Sequence, residues 1–413
     1  MSSRRRILVA AFLTTLIGSQ SLGQDWTPTS AAPLNWRCLA SSADGRRLIA
    51  GVCPGLIYSS TNFGSTWTAT GAPPKDWDSV ACSADGAIIV GSVEYGFGGG
   101  NGLYVSTNFG ISWTLAFSAS NHWWNSVACS SDGKRMAAAS GTSWWATNAV
   151  YLSTNSGADW VRTSAPNGTG QLTMSVDGSR LAIATSAAVE VSTNFGLTWN
   201  ATCPASQEMA YPTYPSFVAT SGAGTTLIAL SQGPLVWPEG VLCSVSMSSD
   251  WGATWKPVGS LPNAVAAACS ADGAILAAAA SSVSKGSRLF LSTNSGASWS
   301  ITELPSLTNL CSVACSLDGS RLVAALGHGV RPDIPSIYVR QTTPVPRLEV
   351  FSGADNLEVS WLLPSEFFVL EESADLLGWS EASVTPRLNY SNLHYVVSLL
   401  RPIAPRFYRL ASQ

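Results

Sequence analysis

Charge is scarce in this sequence. Asp, Glu, Lys and Arg make up only 11% of the 413 residues, and the formal net charge is -3. Lysines and arginines are scattered singly, so no basic stripe exists to neutralise phosphates, and nucleic acid is excluded as an expected partner. There are only three histidines, widely scattered, and no Cys/His spacing of a metal site; neither metal nor cofactor is expected. Beyond residue 24 no apolar run is long enough for a transmembrane helix, so no membrane span is expected in the mature chain. A helical stripe is also missing.

Before that point the chain reads as a targeting segment, residues 1–23. Arg4, Arg5 and Arg6 precede the apolar run Ile7 to Ile17, and Ser21-Leu22-Gly23 offers small residues for cleavage. An uncleaved anchor is the alternative. Ser3 to Leu8 also resembles a twin-arginine signal, which leaves the export route open. The expected location is the periplasm, cell surface or exterior.

What the chain does have is a repeat. A motif of small apolar residues ending in Ser-x-Asp-Gly recurs around Asp44, Asp85, Asp132, Asp177, Asp272 and Asp318, with a degenerate copy at Ala223-Gly224. Successive copies lie 41 to 49 residues apart, giving seven units. About twenty residues after the turn each unit carries a second marker, Ser-Thr-Asn-Phe-Gly-x-Ser/Thr-Trp or a variant, ending at Trp67, Trp113, Trp160, Trp199, Trp255 and Trp299. Short β-branched runs lie between them, such as Gly102 to Ser106. Four strands per forty-odd residues predict an all-β fold, a seven-bladed β-propeller over residues 25–340. A linear solenoid is the competing fold.

Closure follows from a missing piece. The seventh unit ends at Ile337 to Arg340 without its Trp marker, whereas Asp25-Trp26-Thr27-Pro28 near the start matches Ser112-Trp113-Thr114-Leu115. The N-terminal strand is therefore expected to complete the last blade, which would remove exposed sheet edges.

The second marker resembles the Asp-box, or BNR, repeat of sialidases, secreted glycoside hydrolases and photosystem II assembly factors, mostly with Asn where that family has Asp. The resemblance covers about six copies between residues 58 and 300. It implies a propeller and a structural brace, and nothing about chemistry.

Cysteines divide into two sets. Cys82, Cys129, Cys269 and Cys315 share one repeat position and are expected to be buried fillers. Cys38, Cys53, Cys203, Cys243 and Cys311 break the pattern. Cys203–Cys243 is the favoured disulfide, with Cys38–Cys53 a weaker pair and Cys311 left over; an exported chain permits such bonds.

The turns and boxes occupy one face of a blade, and the irregular loops the other, where recognition usually sits. Trp36, Trp77 and Trp124 share one register at the mouth end of the first strand, and either plug the core or meet a ligand. Tyr95, His122, Trp123, Trp144, Trp145 and Trp237 add loop-face candidates for ligand binding, with Tyr211 and Tyr214 nearby. Rings beside amides suit stacking on sugars. A glycosidase needs two carboxyls roughly 5 to 9 Å apart. Asp76, Asp78, Glu94, Glu208, Glu239 and Asp333 are on the loop face, and no two can be paired from sequence. Tyr95, His122 and Arg37 are loose candidates for a lyase. The three-arginine cluster that sialidases use is absent, because most arginines follow the Asp-Gly turns on the other face. Glu190 stands where other units have Tyr58, Tyr104, Tyr151 and Phe290.

After Arg340 the repeats stop. Residues 341–346, rich in Thr and Pro, read as a linker, and residues 347–413 as a small all-β domain. Val359-Ser360-Trp361, Leu370 to Leu376 with Trp379, and Phe407-Tyr408-Arg409-Leu410 resemble a C-terminal β-sandwich module of exported Verrucomicrobia proteins. The expected function is non-catalytic recognition of a polysaccharide, a glycoconjugate or an envelope protein. A secreted polysaccharide-degrading enzyme and an envelope scaffold factor remain open alternatives.

Overall fold

The computed structural model describes residues 26–93, 102–118, 122–141, 149–163, 170–185, 187–202, 214–236, 240–282, 286–304, 310–327, 336–342, 348–352, 356–362, 368–375, 378–389, 394–400 and 406–412. Before the C-terminal region the described strands form seven four-stranded antiparallel sheets, one per repeat. The first contains Trp36–Ser41, Leu48–Val52, Ile57–Ser60 and Thr68–Ala69 in that order. In the second, Gly102–Ser106 is a strand as read from the sequence.

Each repeat motif is a hydrogen-bonding device. In the first Asp-Gly turn the Ser42 hydroxyl donates to Asp44 (2.6 Å), Asp44 accepts the Arg46 N–H (3.0 Å), and Ser42 Oγ accepts the Arg47 N–H (2.9 Å). Gly45 closes it at φ 72°, a conformation a Cβ resists. In the box, Ser60 Oγ accepts the Gly64 N–H (2.9 Å), and Asn62 Oδ1 accepts the Thr66 N–H (2.8 Å). The residue between them, Phe63, sits at φ 58°. Such backbone strain persists because the surrounding bonds over-determine it. Equivalent bonds recur in the other boxes, with Asp250 replacing Asn in the fifth.

Second strands are buried along most of their length, and Leu48–Val52, Ile89–Val93 and Met136–Ser140 along all of it. Flanked on both sides, they are largely apolar and rich in alanine, which lets neighbouring sheets approach. Ala137, Ala138, Ala139, Ala277, Ala278 and Ala279 are fully buried.

Three sets of ties connect the sheets. The first strand of each touches that of the next, and the seventh's touches the first's. A circuit of backbone hydrogen bonds runs through the turns, from Ala43 N–H to the Ala84 carbonyl (2.8 Å) and onward in the same sense through Ser131, Val176, Gly222, Ala271 and Leu317. Asp318 N–H returns it to the Ala43 carbonyl (3.3 Å). Third, an arginine three residues past the turn Asp lies over the aromatic box residue of the following sheet. Arg47 covers Phe109 (4.2 Å), Arg135 covers Phe195, Arg180 covers Trp251, and Arg321 of the seventh sheet covers Phe63 of the first (3.8 Å). Where the box residue is Ser156 or Ser295, the preceding sheet carries Ile88 or Thr226 instead.

The seventh sheet takes its outer strand from the N-terminus: Thr27 pairs with Val339 and Pro28 with Tyr338. Trp26, only 5% exposed, joins a core cluster with Leu310, Leu322 and Tyr338.

The expected disulfides are a correction. Cys38, Cys53, Cys82, Cys129, Cys243, Cys269, Cys311 and Cys315 all carry thiols rather than disulfides. Cys38 stands opposite Gly51, whereas the Cys53 N–H bonds to Asn35. The two are thus about three residues, roughly 10 Å, apart along the strands, beyond disulfide reach. Cys243 belongs to a long strand, Gly240–Ser248, rather than to a loop. It is fully buried, and its sulfur accepts the Ala264 N–H. Cys203 lies outside the described residues. Burial pushes the Cys82 thiol up to about 12 and those of Cys129, Cys269 and Cys315 well above their usual range.

The C-terminal region forms a separate cluster, a four-stranded sheet with a three-stranded one. The five strand-like runs that the sequence shows there, Leu348 to Phe351, Leu357 to Leu362, Phe368 to Glu371, Tyr395 to Leu399 and Phe407 to Leu410, all fall within strands. Ser380–Glu381 and Arg387–Asn389 are two more that it did not signal. Trp361 and Val359 are fully buried at its centre. Among the described residues no helix is long and apolar enough to cross a membrane.

Candidate functional site

The loop end of the first strands is where the repeat gives way to individual chemistry. In six sheets the first strand bulges near its start, after the opening residue in five and after the second, Pro215, in the fifth sheet. The residue skipped in the ladder is Arg37, Asp78, Asn125, Ser216, Val265 or Cys311. A bulge places one extra residue against the partner strand and re-aims its side chain. The result is a collar of mostly polar residues where the innermost strands end.

Two collar residues are ion-paired. Arg37 Nε and Nη2 both lie 2.8 Å from Asp78 Oδ1, joining the first sheet to the second. The Asp78 side chain is 10% exposed and that of Arg37 52%, so the guanidinium faces solvent while the carboxylate is sunk beneath it. Burial raises the Asp78 carboxyl above its usual range, and the charge and hydrogen bond of Arg37 oppose that rise. Across the collar the Cys311 thiol donates to the carbonyls of Trp36 (3.1 Å) and Ala325 (3.2 Å), a tie from the seventh sheet to the first. Burial lifts it to about 12 despite the pull of Arg37. Behind the collar, Ser79 Oγ accepts the Val127 N–H (3.2 Å) and Ser126 Oγ the Leu172 N–H (2.9 Å).

The three tryptophans of the shared register are core residues. Trp36, Trp77 and Trp124 are 0–1% exposed. Each meets the tyrosine of its own sheet edge to face: Trp36–Tyr58 at 5.3 Å, Trp77–Tyr104 at 5.4 Å and Trp124–Tyr151 at 5.4 Å. Trp36 Nε1 also donates to Ser336 Oγ (2.8 Å). His122 belongs to the same packing. Its ring stacks on Trp124 at 5.2 Å, and its Nε2 lies 3.1 Å from the Tyr151 hydroxyl. Burial, with help from Arg162, lowers its pKa, so the neutral imidazole is favoured. None of these four presents a face to a ligand in this arrangement. Trp123 is half-buried, and its carbonyl accepts the Gly141 N–H (2.9 Å).

Tyr95, Trp144, Trp145 and Trp237 lie outside the described residues, as do Tyr211, Glu94, Glu208, Glu239, His328, Arg331 and Asp333. Of the loop-face acids, Asp76 and Asp78 are described, and Asp78 is committed to Arg37. Glu190 is half-buried in the place of an aromatic, and burial raises its carboxyl pKa. Among the described residues no three His, Cys, Asp or Glu side chains converge as metal ligands would. Asn125 and Ser216 are not singled out by the sequence, and Cys311 only as a cysteine left over from the expected pairs. Their shared signal is position, seven residues before the turn Asp or its counterpart Ala223.

No family model matches the sequence, and no curated protein matches it. Solved structures do. The GH74 enzyme of Niastella koreensis aligns with a TM-score of 0.57 at 14% identity, over 82% of this chain but 59% of its own. The WD40 repeats of RRP9 align with a TM-score of 0.57 at 13% identity, over 77% of this chain and 98% of theirs. A YCF48 structure bound to a D1 peptide aligns with a TM-score of 0.52 at 13% identity, over 78% and 97%. The chain therefore spans just over half the length of the GH74 enzyme. Identities this low show the fold alone: a β-rich, multidomain architecture resembling the propeller, WD40 and YCF48 folds.

Proposed function

We propose that this chain is an exported, closed, seven-bladed Asp-box propeller that performs no chemistry of its own and holds an extended protein segment on its loop face. The return of the hydrogen-bond circuit from Asp318 to Ala43 supports closure, and the Ser-x-Asn-x-Gly geometry supports the Asp-box assignment. In this reading residues 1–23 are a removed signal, 25–340 the propeller, 341–346 a linker and 347–413 a separate sandwich. The signal-like N-terminus supports export.

The observation that carries the functional reading is the collar. Trp36, Trp77, Trp124 and His122, four of the rings expected to stack on sugars, are packed in the core, while the bulge at Arg37 leaves a half-open guanidinium at the collar. Arg37 over a buried carboxylate offers donors to a carbonyl or carboxylate, the recurrent groups of a polypeptide. The YCF48 structure, which holds a D1 peptide, is matched over almost its whole length, and that supports a protein rather than a sugar ligand. A polysaccharide-degrading enzyme is the second reading, favoured by the GH74 likeness over 82% of this chain.

The test is to present the purified chain in parallel with an array of extended peptides and a panel of neutral and uronate polysaccharides. Peptide retention that weakens in Arg37→Gln is the expected outcome. Retention on polysaccharide alone would replace the protein ligand by a glycan, and release of reducing or unsaturated ends would overturn the non-catalytic reading.

A further inference from the structure

The turn face has an occupant of its own. Ala43, Ala84 and Ala271 belong to the hydrogen-bonded circuit at the hub of that face, yet they are only 1–7% exposed. Part of their cover comes from the C-terminal sheets. Tyr395 packs against this alanine cluster, beside Val176 and Leu317. It is held from behind by Trp361, its cross-strand partner, whose ring stacks at 6.0 Å and which is itself fully buried.

An independent contact fixes the same placement. Where the chain leaves the seventh sheet, the Thr342 N–H donates to the Ser320 carbonyl (2.6 Å) and its hydroxyl to that of Gly319. The connection thus crosses the seventh Asp-Gly turn. Its Asp318 is 2% exposed, whereas Asp85, Asp132, Asp177 and Asp272 stand exposed at the same repeat position. Tyr395 at the hub and Thr342 at the rim put the C-terminal sheets on the turn face.

We infer that the C-terminal sandwich is a built-in stopper: by seating Tyr395 in the hub it closes the axial channel at the turn face, so that ligands reach the channel from the loop face alone. This rests on the closed-ring reading. The hub suits the ring chemically, because methyl, isopropyl and isobutyl groups offer no hydrogen bonds and would otherwise be an apolar patch in water.

Thiol protection in the full-length chain tests it. In Ala84→Cys the new thiol should react with a maleimide slowly, and in Ala84→Cys combined with Tyr395→Ala about tenfold faster or more, since labelling of a covered group tracks its opening. The parent chain, whose repeat cysteines are buried or half-buried and hard to ionise, supplies the background. Ala271→Cys replaces Ala84→Cys should the latter not fold. Amide exchange at Ala84, Ser131 and Gly222 is followed in the same samples. Rapid labelling of the single variant with those amides still protected would overturn the stopper and leave the ring standing. Amides exchanging as fast as in an unfolded chain would overturn both.

Discussion

Trp26 offers the sharpest test of the closed-ring reading. It comes from the N-terminal segment but is buried with residues of the sixth and seventh sheets, including Ala277, Leu289, Leu322 and Tyr338. Burying a tryptophan removes about 150–250 Å² from water, which at ~25 cal/mol per Å² is about 4–6 kcal/mol. Measured Trp→Ala losses are about 3–5 kcal/mol once relaxation is included. Trp26→Ala should therefore destabilise the protein by about 3–5 kcal/mol, and at about 2 °C per kcal/mol for a chain of this size lower the melting temperature by about 6–10 °C. Calorimetry is the assay, because with 17 tryptophans fluorescence would not isolate one site. The shape of the transition discriminates as well as its midpoint. In a closed ring the whole transition should move as one, since loss of the last sheet's outer strand loosens the first sheet too. A transition that splits, with one small component melting early and the rest unmoved, would mean fraying of an open array. A loss below about 1 kcal/mol would refute the burial argument itself.

The turn aspartates should respond to pH in opposite directions. Burial raises the Asp318 carboxyl to about 6, so the stability tied to it is complete below its unfolded pKa near 4 and is lost as pH rises through 6, about 3 kcal/mol in all; Asp318→Asn should raise the melting temperature at pH 7.5 and leave it unchanged at pH 4. Hydrogen bonds from Ser175, Ser179 and its N–H outweigh burial at Asp177 and lower its pKa, so its contribution is present at neutral pH and lost on acidification, and Asp177→Asn should destabilise at pH 7.5. A double-mutant cycle on Arg47 and Phe109, 4.2 Å apart, should give a coupling of about 0.5–1 kcal/mol in urea denaturation, with none between Arg47 and Phe195. Because the described cysteines carry thiols, a reductant should leave the melting temperature unchanged; a fall of several degrees would overturn that assignment.

The seven sheets were legible because their turns are local. Ser42, Asp44, Ser60 and Asn62 spend their side chains on backbone groups within five residues, so the same letters must recur wherever the turn does. The Trp26 strand was legible for the same reason, as a displaced copy of a recurring marker. The collar was not. A bulge is a backbone event, and Arg37, Asp78, Asn125, Ser216, Val265 and Cys311 have no chemistry in common to announce it. Burial of Trp36, Trp77 and Trp124 stayed undecided because their stacking partners, Tyr58, Tyr104 and Tyr151, lie far along the chain. Cys243 misled because the fifth sheet's middle strands, Leu227–Val236 and Gly240–Ser248, outrun the other sheets'; extra length that read as a loop insertion is partly strand.

The ties between the described parts of the sheets differ in kind at the two ends. On the turn side every junction is held by a backbone bond of the circuit, and four are reinforced by an arginine over a ring. The aromatic box residue and the arginine of the preceding sheet occur together or not at all, so a change to either is felt at the junction. At the loop end the described ties are individual: Arg37 to Asp78, Ser79 to Val127, Ser126 to Leu172, Cys311 to Trp36. Because the turn side already fixes the spacing and order of the sheets, the loop end can change residue by residue without loosening those junctions. A collar of six different residues at one repeat position is what such freedom produces. The turn face, against which Tyr395 and Thr342 also lie, keeps its repeat chemistry, whereas the bulge position at the loop end does not.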